Sequence, residues 1–530
     1  MNHEEKIGAG PVPETAGAPI LPGADFDLTE EDLRCRPPFR EPAPVLSTGK
    51  DAVFALLFFI CGYCFVWLVH PFRLGFGATV FTVLFCLVAL AYQKSRGVSL
   101  SGEGIFWFAA MLISGANFSL LSNVFLQSLN LLLLMGIAVY WAAVLNSTRL
   151  EPSLGGCFPA DMVNQLFQVP FRNFGCAVKV LRNETVKSRK SKTLFAVACG
   201  VFAAVPILCL VFSQLIQADA GFQALTQRIA DSMGTGVIEF LLRLLPAFLV
   251  GSYLFGLWYG NLQKRYVGIF TAESAERFFQ RQKKLPPALS LTVLFLLGAV
   301  YLWFLSFQAV TLFSAVQNHP SEGFTYAEFA RRGFFELCRV VMINLTVMLA
   351  AFFFTRSAQR QKTMRLMNVV LSVETLMLIA TALGKMMLYI AQYGMTQKRV
   401  YTSCFMIVLF LIFCLVIFAQ FRKINLTRSV VALCCVSFLA LCYVNADGWI
   451  AQYNVDRYLN GSLKHVDVAM MYSAPDASVP AALQLYRQTD NPRVKTELKQ
   501  FFRDTTALQI PFEEQNLQRI RAQESIAQMK

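Results

Sequence analysis

Apolar residues run in blocks of roughly twenty along most of this chain, the length a helix needs to cross a bilayer. Eleven such blocks stand at about 52–69, 75–92, 104–122, 125–145, 194–213, 237–259, 288–309, 336–355, 366–390, 402–420 and 428–445. Short polar junctions separate most of them. The junction at Ser122-Asn123 is so short that spans three and four are expected to form a tight helical hairpin. The pattern predicts an all-α integral membrane protein, a bundle of about eleven transmembrane helices over residues 51–446.

Both ends break the pattern. Residues 1–50 are rich in Pro, Gly, Ala and acids, too poor in apolar surface to fold, and read as a disordered cytoplasmic tail. They lack the basic start and early apolar core of a signal peptide. Residues 447–530 show helical pieces at about 449–459, 463–472, 478–488, 492–504 and 511–528. Helix-start signals stand at Asp476 to Pro480 and at Asp490-Asn491-Pro492. They predict a small extracytoplasmic helical cap docked on the outer loops.

Charge sets the direction of threading. Connections after even-numbered spans hold 23 Lys/Arg, counting Arg428 at the head of span eleven, and those after odd-numbered spans hold 6. Basic loops stay cytoplasmic, so the N-terminus is expected inside and, after eleven spans, the C-terminus outside. The net charge of +14 has the same origin: residues 1–51 and 447–530 contribute −5 and 0, leaving +19 in the bundle. With 55% hydrophobic and 15% charged residues and a mean hydropathy of +0.49, the chain is too apolar for a soluble enzyme or nucleic-acid reader.

Three segments are neither span nor simple loop. The long cytoplasmic connection 146–193 carries Met162, Leu166, Phe167, Phe174, Val178 and Leu181 at roughly helical spacing, with Arg172, Lys179 and Arg182 on other faces. Pro170 should kink this helix. Lys187, Arg189, Lys190 and Lys192 follow, so the segment reads as an interfacial helix with a basic run on anionic lipid headgroups. The plainer alternative is that these charges only set topology. At 217–232, Phe222, Leu225 and Ile229 share a face and predict a short amphipathic helix on the outer side. The third is an outer helical insert at 310–335.

That insert begins a line of charges. Thr325 and Glu328 fit a capping box. Glu328, Arg332 and Glu336 stand at i, i+4 and i+8, with Arg331 beside them, and Arg339 and Asn344 carry the line into span eight. Elsewhere Glu239 and Arg243 are spaced to pair within span six, Glu374 lies well inside span nine, and Lys385 lies near its outer end. Intramembrane ionisable groups are functional candidates by default. One expectation is a single polar cavity, open to the outside, that joins these groups. The other is a set of ion pairs locking spans six, eight and nine together. Glu374 fits pairing least, because its own helix offers no cation within a turn.

Chemistry-bearing motifs are sparse. The chain has no G-x-x-x-x-G-K-[ST], H-E-x-x-H or G-x-S-x-G pattern. Four scattered His give no metal site, and no cofactor is expected. Cys61-Gly-Tyr-Cys64 lies in mid-span, where thiols act as small apolar fillers.

Three stretches carry a resemblance: Tyr326-Ala-Glu-Phe-Ala-Arg-Arg-Gly-Phe-Phe-Glu-Leu337, Tyr393-Gly-Met-Thr396 with Arg399-Val-Tyr401, and Ile450-Ala-Gln-Tyr-Asn-Val-Asp-Arg-Tyr458. In this order they resemble a bacterial multipass membrane family of unknown function, the domain-of-unknown-function family four-one-seven-three, with its relative four-one-five-three. The resemblance covers most of residues 50–490 and implies a bacterial inner-membrane location. It implies no activity and no site residue. The expected function is a non-catalytic envelope scaffold or sensor with an envelope protein partner. The alternatives are a secondary transporter or flippase-like protein working through Glu374, and an outer-face membrane enzyme using Glu328, Arg331 and Glu336.

Overall fold

The computed structural model describes residues 44–69, 74–185 and most of 235–529. Residues 1–43, 70–73, most of 186–234, 268–271, 317–325, 357–361, 464, 508–509 and 530 lie outside that description. Residues 1–43 of the expected tail, most of the piece at 217–232 and the basic run Lys187, Arg189, Lys190 and Lys192 fall there; the last part of that tail is described, with Val45 packed on the first core and the helix that begins the bundle starting at Gly49. Among the described residues the regular elements are helical, and the β contribution is one isolated bridge between Leu285 and Thr355.

Among the described residues, ten helices are long and apolar enough to cross a membrane. They are α1 (Gly49–Leu68), α2 (Phe76–Ser95), α3 (Gly102–Leu120), α4 (Val124–Leu145), α5 (Thr235–Leu262), α6 (Pro287–Val316), α7 (Tyr326–Phe354), α8 (Lys362–Tyr393), α9 (Gln397–Phe421) and α10 (Leu426–Tyr443). They match ten of the eleven expected blocks. The remaining one, span five at 194–213, falls largely outside the described residues.

Local chemistry ends these helices where the apolar blocks end. Thr48 forms a capping box with Asp51 at the start of α1. Ser101, Asn123 and Asn425 each accept a backbone N–H from the first turn of α3, α4 and α10. In the α3–α4 hairpin, Asn123 lets the chain reverse and start a capped helix at once.

Helices α1 to α5 share one core, rich in buried aromatics such as Phe58, Tyr92, Trp141, Phe255 and Trp258. Its closest crossing joins α1 and α5, where a Cβ on Gly62 would run into the backbone of Ala247 and Gly251. Small residues let two membrane helices approach this closely. Helices α6 to α9 form a second core around Tyr301, Phe334, Val341, Leu371, Leu378 and Phe413. Helix α10 touches both groups, packing on α9 and also on α3 and α4. There Asn117 donates to the Cys442 carbonyl at 2.7 Å and Tyr443 to the Ile113 carbonyl at 2.5 Å.

The C-terminal region has its own core, built by α11 (Ala446–Leu459), α12 (Pro475–Gln488), α13 (Pro492–Ala507) and α14 (Leu517–Ala527). It rests on helix ends of the first bundle. The Phe76 amide donates to the Gln515 carbonyl at 2.8 Å, and the Phe76 ring stacks on Phe512. The Ser122 amide donates to the Gln518 side chain at 2.9 Å.

The connection after α4 differs from expectation in detail. It is a broken helix, Phe158–Val163, then a π turn Asn164–Gln168, then Val169–Arg172, followed by a separate helix Cys176–Thr185. Pro170 sits where the π turn gives way, a position that tolerates a missing N–H. Met162 and Leu166 pack against the first core, while Val163, Phe167 and Phe171 are exposed. The outward apolar line is therefore shifted from the face read off the spacing. The cause is polar: Gln165 is buried, and its side-chain oxygen accepts from Asn261 of α5 at 2.8 Å.

Candidate functional site

A polar network lies where α4, α9 and α11 meet. Asn445 caps α11 by accepting the Gly448 amide at 3.2 Å, which places Asp447 in the first turn. A carboxylate there gains from the positive end of the helix. The Asp447 side chain is buried and accepts from the Tyr401 hydroxyl at 2.9 Å, from Gln397 at 2.9 Å, and from Asn123. Asn123 also caps α4, its oxygen taking the Leu126 amide at 2.7 Å. One carboxylate thus links the first bundle, the second bundle and the cap. Beside it lies a small cleft lined by Gln397, Asp447, Ile450, Met470, Ser473 and Ser478, with room for about one water.

Next to this node, α11 holds the turn between α8 and α9. Asn454 accepts the Met395 amide at 2.7 Å and donates to the Met395 carbonyl at 2.8 Å. Gly394 sits at φ +76°, and a Cβ there would meet the Asn454 oxygen at 2.5 Å, so the turn needs glycine twice over. Arg457 donates to the Ala391 carbonyl at 2.8 Å, placing a cation at the end of α8. Arg399 bonds the Tyr393 and Gly394 carbonyls and lies 4.1 Å from the Tyr389 ring centre. Two of the three stretches that carried the resemblance, 393–401 and 450–458, meet here.

The charged groups expected to share one cavity are split between the bundles. Glu239 and Arg243 pair at 2.9 Å on α5, which belongs to the first core. Glu336, Arg339, Glu374 and Lys385 lie on α7 and α8 in the second bundle. Helical spacing sets the face of each helix but not its neighbour: α5 packs chiefly on α1, so Glu239 and Arg243 are grouped with the first core and Glu374 with the second. Within the second bundle Glu336 and Arg339 are exposed. The Lys385 ammonium lies over Gly333, where a Cβ would sit 2.9 Å from it. Glu328, Arg331 and Arg332 fall on α7, with side chains outside the described residues.

Glu374 stands apart. It is 3% exposed, and neither carboxylate oxygen has a hydrogen-bond partner. It faces Gly298 of α6, where a Cβ would lie 3.3 Å from its oxygen. Close by runs a polar chain: Tyr301 donates to Asn344 at 2.6 Å, Asn344 to Thr375 at 2.9 Å, and Thr375 to the Leu371 carbonyl at 2.6 Å.

Besides the Asp447 node, sequence reasoning missed two sites. The first joins α1 and α2, where buried Asp51 accepts from Tyr92 at 2.7 Å and pairs with Arg96. The Thr48-Gly-Lys-Asp51 capping pattern was the available signal. The second is Asp161 in the connection after α4, also buried, whose carboxylate accepts the Leu150 amide at 2.8 Å. Burial pushes its carboxyl up to about 6, against the Leu150 bond and the Arg149 charge. Among the described residues no group of three or more His, Cys, Asp or Glu is placed to hold a metal ion.

A family model described as a domain of unknown function, DUF4153, matches residues 107–485, from α3 into α12. It carries the number of the relative in the resemblance above, rather than four-one-seven-three. No curated protein and no solved structure matches the chain.

Two predictions follow from this geometry. Asp447→Asn should cost about 1.5–3 kcal/mol, as for a hydrogen-bonded charge, and Tyr401→Phe about 1 kcal/mol. Their effects should be less than additive in thermal unfolding in nanodiscs, because the hydroxyl acts through the carboxylate; full additivity would refute a shared bond. Asp161 has a raised carboxyl, so the folded chain holds that proton more tightly than the unfolded chain. Its contribution is present below the ordinary value of 3.8 and is lost as pH rises to about 6. The wild-type-minus-Asp161→Asn stability difference should fall across that window; a flat difference would contradict the assignment.

Proposed function

The chain belongs to the DUF4153 family, a domain of unknown function, and on that premise we propose that it is a bacterial inner-membrane scaffold or sensor whose working surface is the C-terminal cap. The observation that carries this reading is the Asp447 node, which ties the cap to both membrane bundles. A partner bound on the cap would strain or relieve bonds shared by α4, α9 and α11. The partner is an envelope protein, and anionic headgroups meet the basic connection after α4.

The orientation reading puts the N-terminus in the cytoplasm and the cap outside. The ratio of 23 to 6 basic residues supports it. So does the grouping of contacts. The cap and α11 touch the connections after α1, after α3 and after α8, all poor in Lys and Arg. The opposite ends meet one another, as where Asp51 pairs with Arg96 and where Thr148 bonds Asn261. Since the end of α4 lies beside the end of α5, α5 starts on the far side. This placement of α5 supports the eleven-crossing reading.

A topology reporter fused after Met529 should be active on the extracytoplasmic side, and one fused at Lys264 on the cytoplasmic side. Both reporters on one side would refute the eleven-crossing reading. For the function, wild-type protein taken from native membranes through an N-terminal tag should retain a stoichiometric envelope protein. Asn123→Ala/Asp447→Ala should lose it while keeping the membrane bundles folded. A wild-type protein that emerges alone, or a variant that keeps the partner, would contradict the proposal.

A further inference from the structure

The second bundle buries a carboxylate that nothing answers. Glu374 is the thirteenth residue of the 32-residue helix α8, within its apolar stretch. Both of its oxygens lack hydrogen-bond partners and the side chain is 3% exposed. Lys385 on the same helix is eleven residues on, about 16 Å at 1.5 Å per residue, too far to pair. That lysine lies instead beside Gly333 and within electrostatic reach of Glu336.

Among the described residues, the other packed elements supply no counter-charge. Helix α6 presents Gly298 and Tyr301, and the Tyr301 hydroxyl is committed to Asn344. Helix α7 presents Asn344; its ionisable Glu336, Cys338 and Arg339 lie about one and a half turns or more toward the helix start. Helix α9 contributes Met406, Leu409 and Phe413 to this core. Leu371, Leu378 and Val341, all fully buried or nearly so, close the stack above and below.

An ionised carboxylate left in such surroundings costs several kcal/mol. A proton removes that cost and turns one oxygen into a donor for the neighbouring polar chain. We propose that Glu374 is a proton-binding site within the membrane, closed in this structure and loaded or emptied when α6, α7 and α8 part. The ligand is a proton taken from water, and binding it forms only the carboxyl O–H bond. Gly298 is part of the site, since the space a larger side chain would fill is held by the carboxyl group. This site is independent of the cap and of the scaffold or sensor reading.

Infrared spectroscopy of the full chain in nanodiscs tests the proposal directly. At about pH 7 the wild type should show a protonated-carboxyl C=O band that shifts in heavy water and is missing from Glu374→Gln. Glu374→Met serves as the second variant if the amide does not express. The band should disappear as pH is raised toward about 10. Absence of the band at pH 7 would overturn the proposal. So would a band that persists unchanged at high pH, because the group would then be a permanently neutral filler.

Discussion

The Asp447 carboxylate is the joint on which the two membrane bundles and the cap depend. Its donors come from Asn123, Gln397 and Tyr401, on or at the ends of helices that otherwise belong to separate cores. The α1–α5 and α6–α9 groups each bury their own apolar faces. Lipid gives no hydrophobic push to hold such groups side by side, so packing and hydrogen bonds must do it. Helix α10 supplies part of the packing, and the node supplies directional bonds at the surface. The Asn454 and Arg457 contacts then fix the α8–α9 turn against α11, so the node cannot shift without moving that turn.

The chain handles buried charge in two ways. Asp51 meets Arg96 and Tyr92, Asp476 meets Arg519, and Asp447 meets three neutral donors and a helix start. These groups are satisfied, and their effect is to lock one element on another. Glu374 has no hydrogen-bond partner among the described residues, with a polar chain close by. Satisfied groups specify structure, and an unsatisfied group in a membrane helix is poised to exchange what it binds. The two therefore separate in the fold: the joint lies where α4, α9 and α11 meet, and Glu374 lies inside the second bundle.

Much of this was legible in the residues. Ten apolar blocks became helices because their length and composition leave a membrane helix as the way to satisfy the backbone. The isolation of Glu374 was also legible, since its own helix offers no nearby cation. The grouping of charges was not. Glu239 and Arg243 looked like neighbours of Glu374 because spacing reports a helical face and says nothing of which helix lies opposite. The role of Asp447 was not legible, because its partners lie at 123, 397 and 401 and no local pattern links them. The inward turn of Gln165 had the same cause, a partner on a distant helix.

Hydrogen exchange of the full chain in nanodiscs tests the central claim most directly. If the node joins the cap to both bundles, the amides of α11, of the turn at Met395 and of Ser122 should be protected together and open in one cooperative step. Exchange of α11 and the cap at rates unrelated to those at Met395 and Ser122 would contradict the account, and would leave the cap resting on the bundles without being coupled to them.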